Sequence, residues 1–308
     1  MKKSIILLII LLSLIGCKKE ESKKIKIGIS QIVEHPSLDS ARKGFEKALA
    51  DSGLDVDIDF QNAQGEFSNS QLIANSFVKD KKDLILGIST PSGQSLYNAT
   101  KDMPILVTAV TDFESAGLIG DNITGTSDMA PVREQFEVAK KLLPDLKKMG
   151  FIYNTSEQNS LVLLEKAQII AKDLEFELIE VGVTSVNEMS PALDSILKKV
   201  DALYLPTDNL VASSAPLILE KANKKNIPVI TCVEDQVKLG ALVTVTIDYE
   251  KLGYQTGEMA VRILKGEDIK NIEVKTLEDT DLIINKKSVE KYNIDLKKID
   301  ETKTIKTI

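Results

Sequence analysis

Apolar runs, each long enough for one buried strand, recur along this chain at intervals of roughly thirty residues, the repeat a βα unit requires. They start near positions 25, 55, 84 and 104, and again near 148, 176, 201 and 227. Amphipathic stretches of helical period lie between them, such as 38–52, which ends at Gly53, and 131–143. Strands alternating with helices imply right-handed crossovers and parallel sheets flanked by helices. Two sets of such units predict two Rossmann-like α/β lobes, and 308 residues can supply a core for each. A further run at 242–247 leads to Asp248, which is expected to cap a helix that reaches Leu264 and stops at Gly266. What remains is too short for a third domain and is read as completing the earlier sheets. The expected lobes are 25–127 plus 248–268 and 128–247 plus 269–300, with 301–308 as a tail. Three further helix starts are expected: Ser68 with Gln71 as a capping box, Thr90 as a cap before Pro91, and Ser156 or Asn159 as a cap after the run at 149–153.

The amino terminus is of another kind. Lys2 and Lys3 precede an apolar run from Ile5 to Leu12, followed by Ser13-Leu14-Ile15-Gly16-Cys17. This is the layout of an export signal over 1–16, and the run is too short to span a bilayer. Leu14 to Cys17 resembles a bacterial lipobox, which implies lipid on Cys17 and a membrane anchor, followed by a charged tether over 17–24. Cys232 is then the one other cysteine. No intramolecular disulfide can form, and Cys232 is read as an inert buried thiol.

In an open parallel sheet, ligands bind beyond the carboxyl ends of the strands, so residues just after each run are the candidates for a site. They are Gln31, Glu34 and His35; Ser89 and Thr90; Thr111 and Asp112; Asn154, Ser156, Glu157, Asn159 and Ser160; Thr207, Asp208 and Asn209; Glu234; and Asp248. The richest junction, 154–160, combines amides, hydroxyls and a carboxylate that can donate, accept and neutralise a cation. An ordinary capped loop uses the same residue types. Their recurrence on both halves points to one cleft between lobes.

Charge narrows the guest. The net charge is −7, and loss of Lys2 and Lys3 makes the chain more acidic still, which argues against nucleic acid. Arg42, Arg133 and Arg262 are the three arginines, and all fall in helical stretches, so no arginine fork awaits a phosphate at the strand ends. Asp and Glu there suit an ammonium group, with Asp112, Glu157 and Asp208 as candidate partners. Hydroxyls and helix N-termini near Thr90, Ser156 and Ser160 suit a carboxylate. Catalysis has little to work with: His35 is the single histidine, and one His with Cys232 cannot complete a zinc site. His35 can line a pocket or simply pack. Paired-carboxylate chemistry stays open on composition alone. The reading is a binding protein with no cofactor and no metal.

Six stretches together resemble the substrate-binding lipoproteins of ABC importers, in the aromatic amino acid branch of the type I periplasmic-binding-protein fold. They are Gly28 to Pro36, Ser89-Thr90-Pro91, Val110-Thr111-Asp112, Gly150 to Ser160, Leu205 to Asn209 and Leu252-Gly253-Tyr254. The resemblance covers 26–294 and implies two lobes joined by three hinge crossings. It also implies an exported, lipid-anchored monomer that closes on an aromatic amino acid and delivers it to a permease and its ATPase. The family pattern has proline after the aspartate of the third stretch, where this chain has Phe113. A ligand-sensing module and a surface adhesin are the alternatives to import.

Overall fold

The computed structural model describes residues 24–299 and 305–308. The expected signal segment 1–16, the lipidation site Cys17 and tether residues 17–23 lie outside the described residues. The first half runs β1 (Ile25–Gln31), α1 (Pro36–Asp51), β2 (Val56–Asn62), α2 (Phe67–Lys79), β3 (Leu84–Ile88), α3 (Thr90–Ala99), β4 (Ile105–Val110) and β5 (Ile123–Ser127). The second runs α4 (Val132–Leu142), β6 (Lys148–Asn154), α5 (Gln158–Asp173), β7 (Glu177–Val183), α6 (Val186–Ile196), β8 (Ala202–Leu205), α7 (Asn209–Ser213), α8 (Ala215–Lys224), β9 (Val229–Thr231), α9 (Glu234–Lys238) and β10 (Val243–Thr246). Then come α10 (Tyr249–Leu264), β11 (Lys275–Thr276), β12 (Asp281–Ile284), α11 (Lys286–Lys291) and β13 (Ile305–Thr307).

The strands form two sheets, ordered β11-β5-β4-β3-β1-β2 and β13-β12-β10-β9-β8-β6-β7. The first is parallel throughout; in the second, β12 runs antiparallel to β10 and takes β13 alongside it in parallel. Sequence explains which strands are central. β3 and β4 are apolar almost without interruption and buried along their whole length, as strands covered on both faces must be. Edge strand β2 alternates Val56, Asp57, Ile58 and Asp59, with the acids toward water.

The chain passes between the sheets three times, at 128–131, 247–248 and 277–280. The second passage brings α10 back to the first lobe, where it packs on α1 with almost no gap. A Cβ on Gly253 would stand 1.8 Å from the Ala41 carbonyl oxygen, and one on Gly44 would stand 2.0 Å from that of Glu250. Only glycine permits backbones this close.

Several expectations need correction. β5 was not expected, because Ile123-Thr124-Gly125-Thr126-Ser127 has one strong apolar residue, yet all five are buried. Its hydroxyls replace apolar packing with bonds: Thr124 donates to the Ile272 carbonyl at 2.7 Å, and Thr126 shares bonds with Thr108 and Thr256 at 3.0 and 2.8 Å. β11 joins the first sheet, so the chain leaves that lobe after 276 and not after 268. The expected tail contributes β13 to the second sheet. Helix α2 starts one residue before Ser68, with Glu66 at its N-cap, so the capping box does not form. Ser89, not Thr90, holds the N-cap position of α3, and Glu157, not Ser156 or Asn159, that of α5, neither with a side-chain capping bond.

Candidate functional site

The carboxyl ends of both sheets face one seam, and hydrogen bonds cross it. The Asn209 amide donates to Ser89 Oγ at 2.9 Å, Thr111 and Thr207 share a bond at 3.3 Å, and Ser37 donates to Asp235 at 3.4 Å. At the seam His35, Leu38, Ser89, Ala109 and Thr111 of the first lobe, Asp128 of the first crossing and Tyr249 of α10 line a cavity. The second lobe closes it with Asn159, residues 206–209, Ala212, Val233 and Gln236. About 20 Å³ inside is open to a water-sized sphere, room for about one water. A larger guest enters by parting the lobes.

Two of the expected anionic residues serve the protein itself. Asp208 is 2% exposed and accepts from the Asn154 amide N–H at 2.6 Å, Ser160 Oγ at 2.6 Å and the Val211 N–H at 2.8 Å. It therefore caps α7 and ties β6 to β8. Burial, and then the neighbouring Glu157 charge, push its carboxyl up to about 7. Glu157 accepts from the side-chain amides of Asn154, Asn159 and Asn209, and from the backbone N–H groups of Asn209 and Leu210. Five donors leave its oxygens little capacity for a guest. Asp112 lies outside the cavity and accepts from the Ser115 N–H at 2.7 Å, a bond that lowers its pKa.

A carboxylate that sequence reading missed does face the cavity. Asp128 is 6% exposed; it accepts from Thr111 Oγ1 at 3.1 Å and from the Tyr249 hydroxyl at 2.8 Å. Burial raises its pKa, opposed by those two bonds. It follows β5 directly, and a strand that is hard to read hides the residue after it. Gln236 and Ala109 were also missed as lining residues.

Other expected residues divide clearly. His35, Ser89, Thr111, Asn159, Thr207 and Asn209 line the cavity. Burial lowers the His35 pKa, against a bond to Asn209 and the charges of Asp39 and Asp235. Gln31 is buried beneath, donating to Val33 and Asp39 at 2.9 and 2.8 Å, and Ser160 supports Asp208. Asn154 and Glu157 border a second opening of the cleft, of about 430 Å³. Thr90 is buried at the head of α3, its hydroxyl without a partner. Glu34, Ser156 and Asp248 are exposed, and Glu234 pairs with Lys238 at 2.9 Å; none of them lines the cavity.

Polar atoms left without partners show what the cavity can hold. Asn159 Oδ1 is an unpaired acceptor and Gln236 Nε2 an unpaired donor, both on buried side chains. Two lining residues also hold backbone conformations that non-glycine residues avoid: Ser89 at φ 81° and ψ 157°, and Ala109 at φ 56° in the irregular end of β4. Such strain collects where chains grip ligands. Among the described residues, no group of three His, Cys, Asp or Glu side chains is placed to hold a metal.

A lobed α/β fold with a polar cavity at its seam agrees with the comparison to known sequences. A model of the family described as ABC transporter substrate binding protein matches residues 26–301. The chain belongs to this family. A substrate-binding protein of this kind works outside the cytoplasm, carrying a small molecule to an ABC transporter. Over 301 residues it is 48% identical to the tyrosine-binding protein of Clostridioides difficile, covering 94% of this chain and 87% of the relative. The structure of an ABC domain from Streptococcus pneumonia in complex with L-Trp is 34% identical, with a TM-score of 0.88 over 93% of this chain and 100% of that one. The ligand-free, open structure of a substrate-binding protein with adhesive properties from Clostridium difficile is 45% identical. Its TM-score is 0.69, over 92% and 98% of the two chains. A lower score at higher identity fits lobes set at a different angle, and the bonds across the seam place this substrate-binding protein with closed lobes.

Proposed function

We propose that this substrate-binding protein captures an aromatic amino acid between its lobes and presents it to an ABC permease, acting as a monomer held at the membrane by lipid on Cys17. The observation that carries the reading is Asp128, a buried carboxylate facing the cavity whose bonds come from two hydroxyls and no cation. The ligand's ammonium supplies the missing positive charge. Its carboxylate meets the head of α3, where helix N–H groups and the Thr90 hydroxyl are available. The ring lies against Leu38, Ala212 and Val233. Kinship to a tyrosine-binding protein and to a protein solved with L-Trp supports an aromatic guest. Binding closes the lobes, 25–127 with 249–276 against 132–246 with 281–299 and 305–308, by bending at the three crossings.

Calorimetry of the purified protein against the twenty amino acids tests the ligand. Saturable binding of an aromatic one is expected, and absence of heat with tyrosine, tryptophan and phenylalanine would refute the reading. The adhesive properties of one relative favour a second, compatible role at the cell surface. Asp128→Asn separates the two, since solute binding is lost while adhesion persists.

A further inference from the structure

Building on that proposed function, we infer that Gln236 sets the protein's choice among aromatic rings, selecting a ring whose edge carries a hydrogen-bond acceptor, as a phenol does. Gln236 is 3% exposed and lies on α9 where the second lobe closes the cavity. Thr231 Oγ1 donates to its Oε1, which fixes the orientation of the amide and turns the NH₂ away from that partner. Nε2 is buried and has no acceptor in the protein. A donor kept dry and unpaired is unfavourable unless a guest completes it.

The division of the lining shows which end of the guest this is. Asp128 and the head of α3, which take the amine and the acid, come from the first lobe and the crossing beside it. The cavity wall left for the ring is Leu38, Pro206, Ala212 and Val233, together with His35 and Gln236. Val233 stands three residues before Gln236, on the loop that opens α9, so a ring packed on it presents its edge to the amide. A phenol oxygen accepts from Nε2. A plain phenyl ring leaves the donor unpaired, and an indole N–H offers a second donor and no acceptor. Sites built to bond a hydroxyl reject analogues lacking it far more strongly than apolar pockets reject a missing carbon.

Calorimetric titration of the wild-type protein and of Gln236→Met with L-tyrosine and L-phenylalanine tests this. Wild-type protein is expected to prefer tyrosine by about tenfold or more, and Q236M to bring the two affinities within about threefold while phenylalanine binding persists. Equal wild-type affinities for the two ligands overturn the inference and leave the functional reading intact. If a cooperatively melting Q236M loses both ligands alike, the amide holds the ligand's carboxylate and the inference is again overturned. Should Q236M fail to fold, Gln236→Leu gives the same readout, because it also removes the donor and adds no acceptor that a phenol O–H could bond. If wild-type protein binds neither ligand, this inference falls, and the aromatic reading falls with it only when tryptophan also gives no heat.

Discussion

The Tyr249 hydroxyl donates to Asp128 Oδ2 at 2.8 Å, joining the first crossing between the lobes to the start of the helix that follows the second. One bond thus sets the position of a cavity carboxylate and ties two hinge segments together. Asp128→Asn keeps the shape and one acceptor for Tyr249 but removes the charge. Amino acid affinity is expected to fall about 100-fold or more, the scale of a broken buried charge pair. Thermal stability should hold or rise, because a buried carboxylate without a cation is unfavourable before ligand arrives. Calorimetry with parallel melting curves checks both halves.

Acidity should act on stability through Asp208. Its folded pKa of about 7 stands above the ordinary 3.8, so the folded state binds the proton more tightly than the unfolded chain. The resulting stabilisation is complete below about pH 4 and is lost as pH rises toward 7, the sign linkage requires for a raised acid. Urea unfolding of wild-type protein and Asp208→Asn across pH 4 to 8 reads this out. The variant is expected to show a shallower decline over that window, and an identical slope would refute the assignment.

Ser89 combines strain with contact across the seam. Its φ of 81° suits glycine, while its hydroxyl accepts from Asn209. Ser89→Gly should therefore leave fold stability unchanged or raise it by up to ~2 kcal/mol as strain is relieved. Loss of one hydrogen bond specific to the closed form should weaken ligand by about fivefold. Urea melts and titration calorimetry separate the two effects, and small-angle scattering should report a larger mean radius.

Where α1 and α10 meet, there is no room for a methyl group. Gly253→Ala places a Cβ against the Ala41 carbonyl, which is backbone and cannot swing aside. A loss of about 3 kcal/mol or more is expected in chemical unfolding. A variant as stable as wild type would mean that the helices stand farther apart than described.

Legibility from sequence followed the reach of the interactions. The continuous apolar runs of β3 and β4 and the thirty-residue rhythm are local signals, and both lobes follow from them. Asp248 caps α10 as expected, accepting from the Glu250 and Lys251 N–H groups at 2.9 and 3.1 Å, because a cap depends on its next three residues. The same local reasoning did not show what holds Asp208, whose partner Asn154 lies 54 residues earlier in the chain. Whether an acid at a strand end meets a guest or a neighbouring loop depends on distances that spacing along the chain does not carry. β5 was hidden for a related reason, since its Thr side chains are bonded to Ile272 and Thr256, residues far along the sequence.

The return of α10 and β11 to the first sheet bears on how such a chain is made. Their residues are among the last quarter to be synthesised, and α1 and the edge of β5 stay uncovered until they arrive. The leading lobe therefore cannot close its own core until most of the second lobe has been made, so completion of both lobes waits on the last part of the sequence.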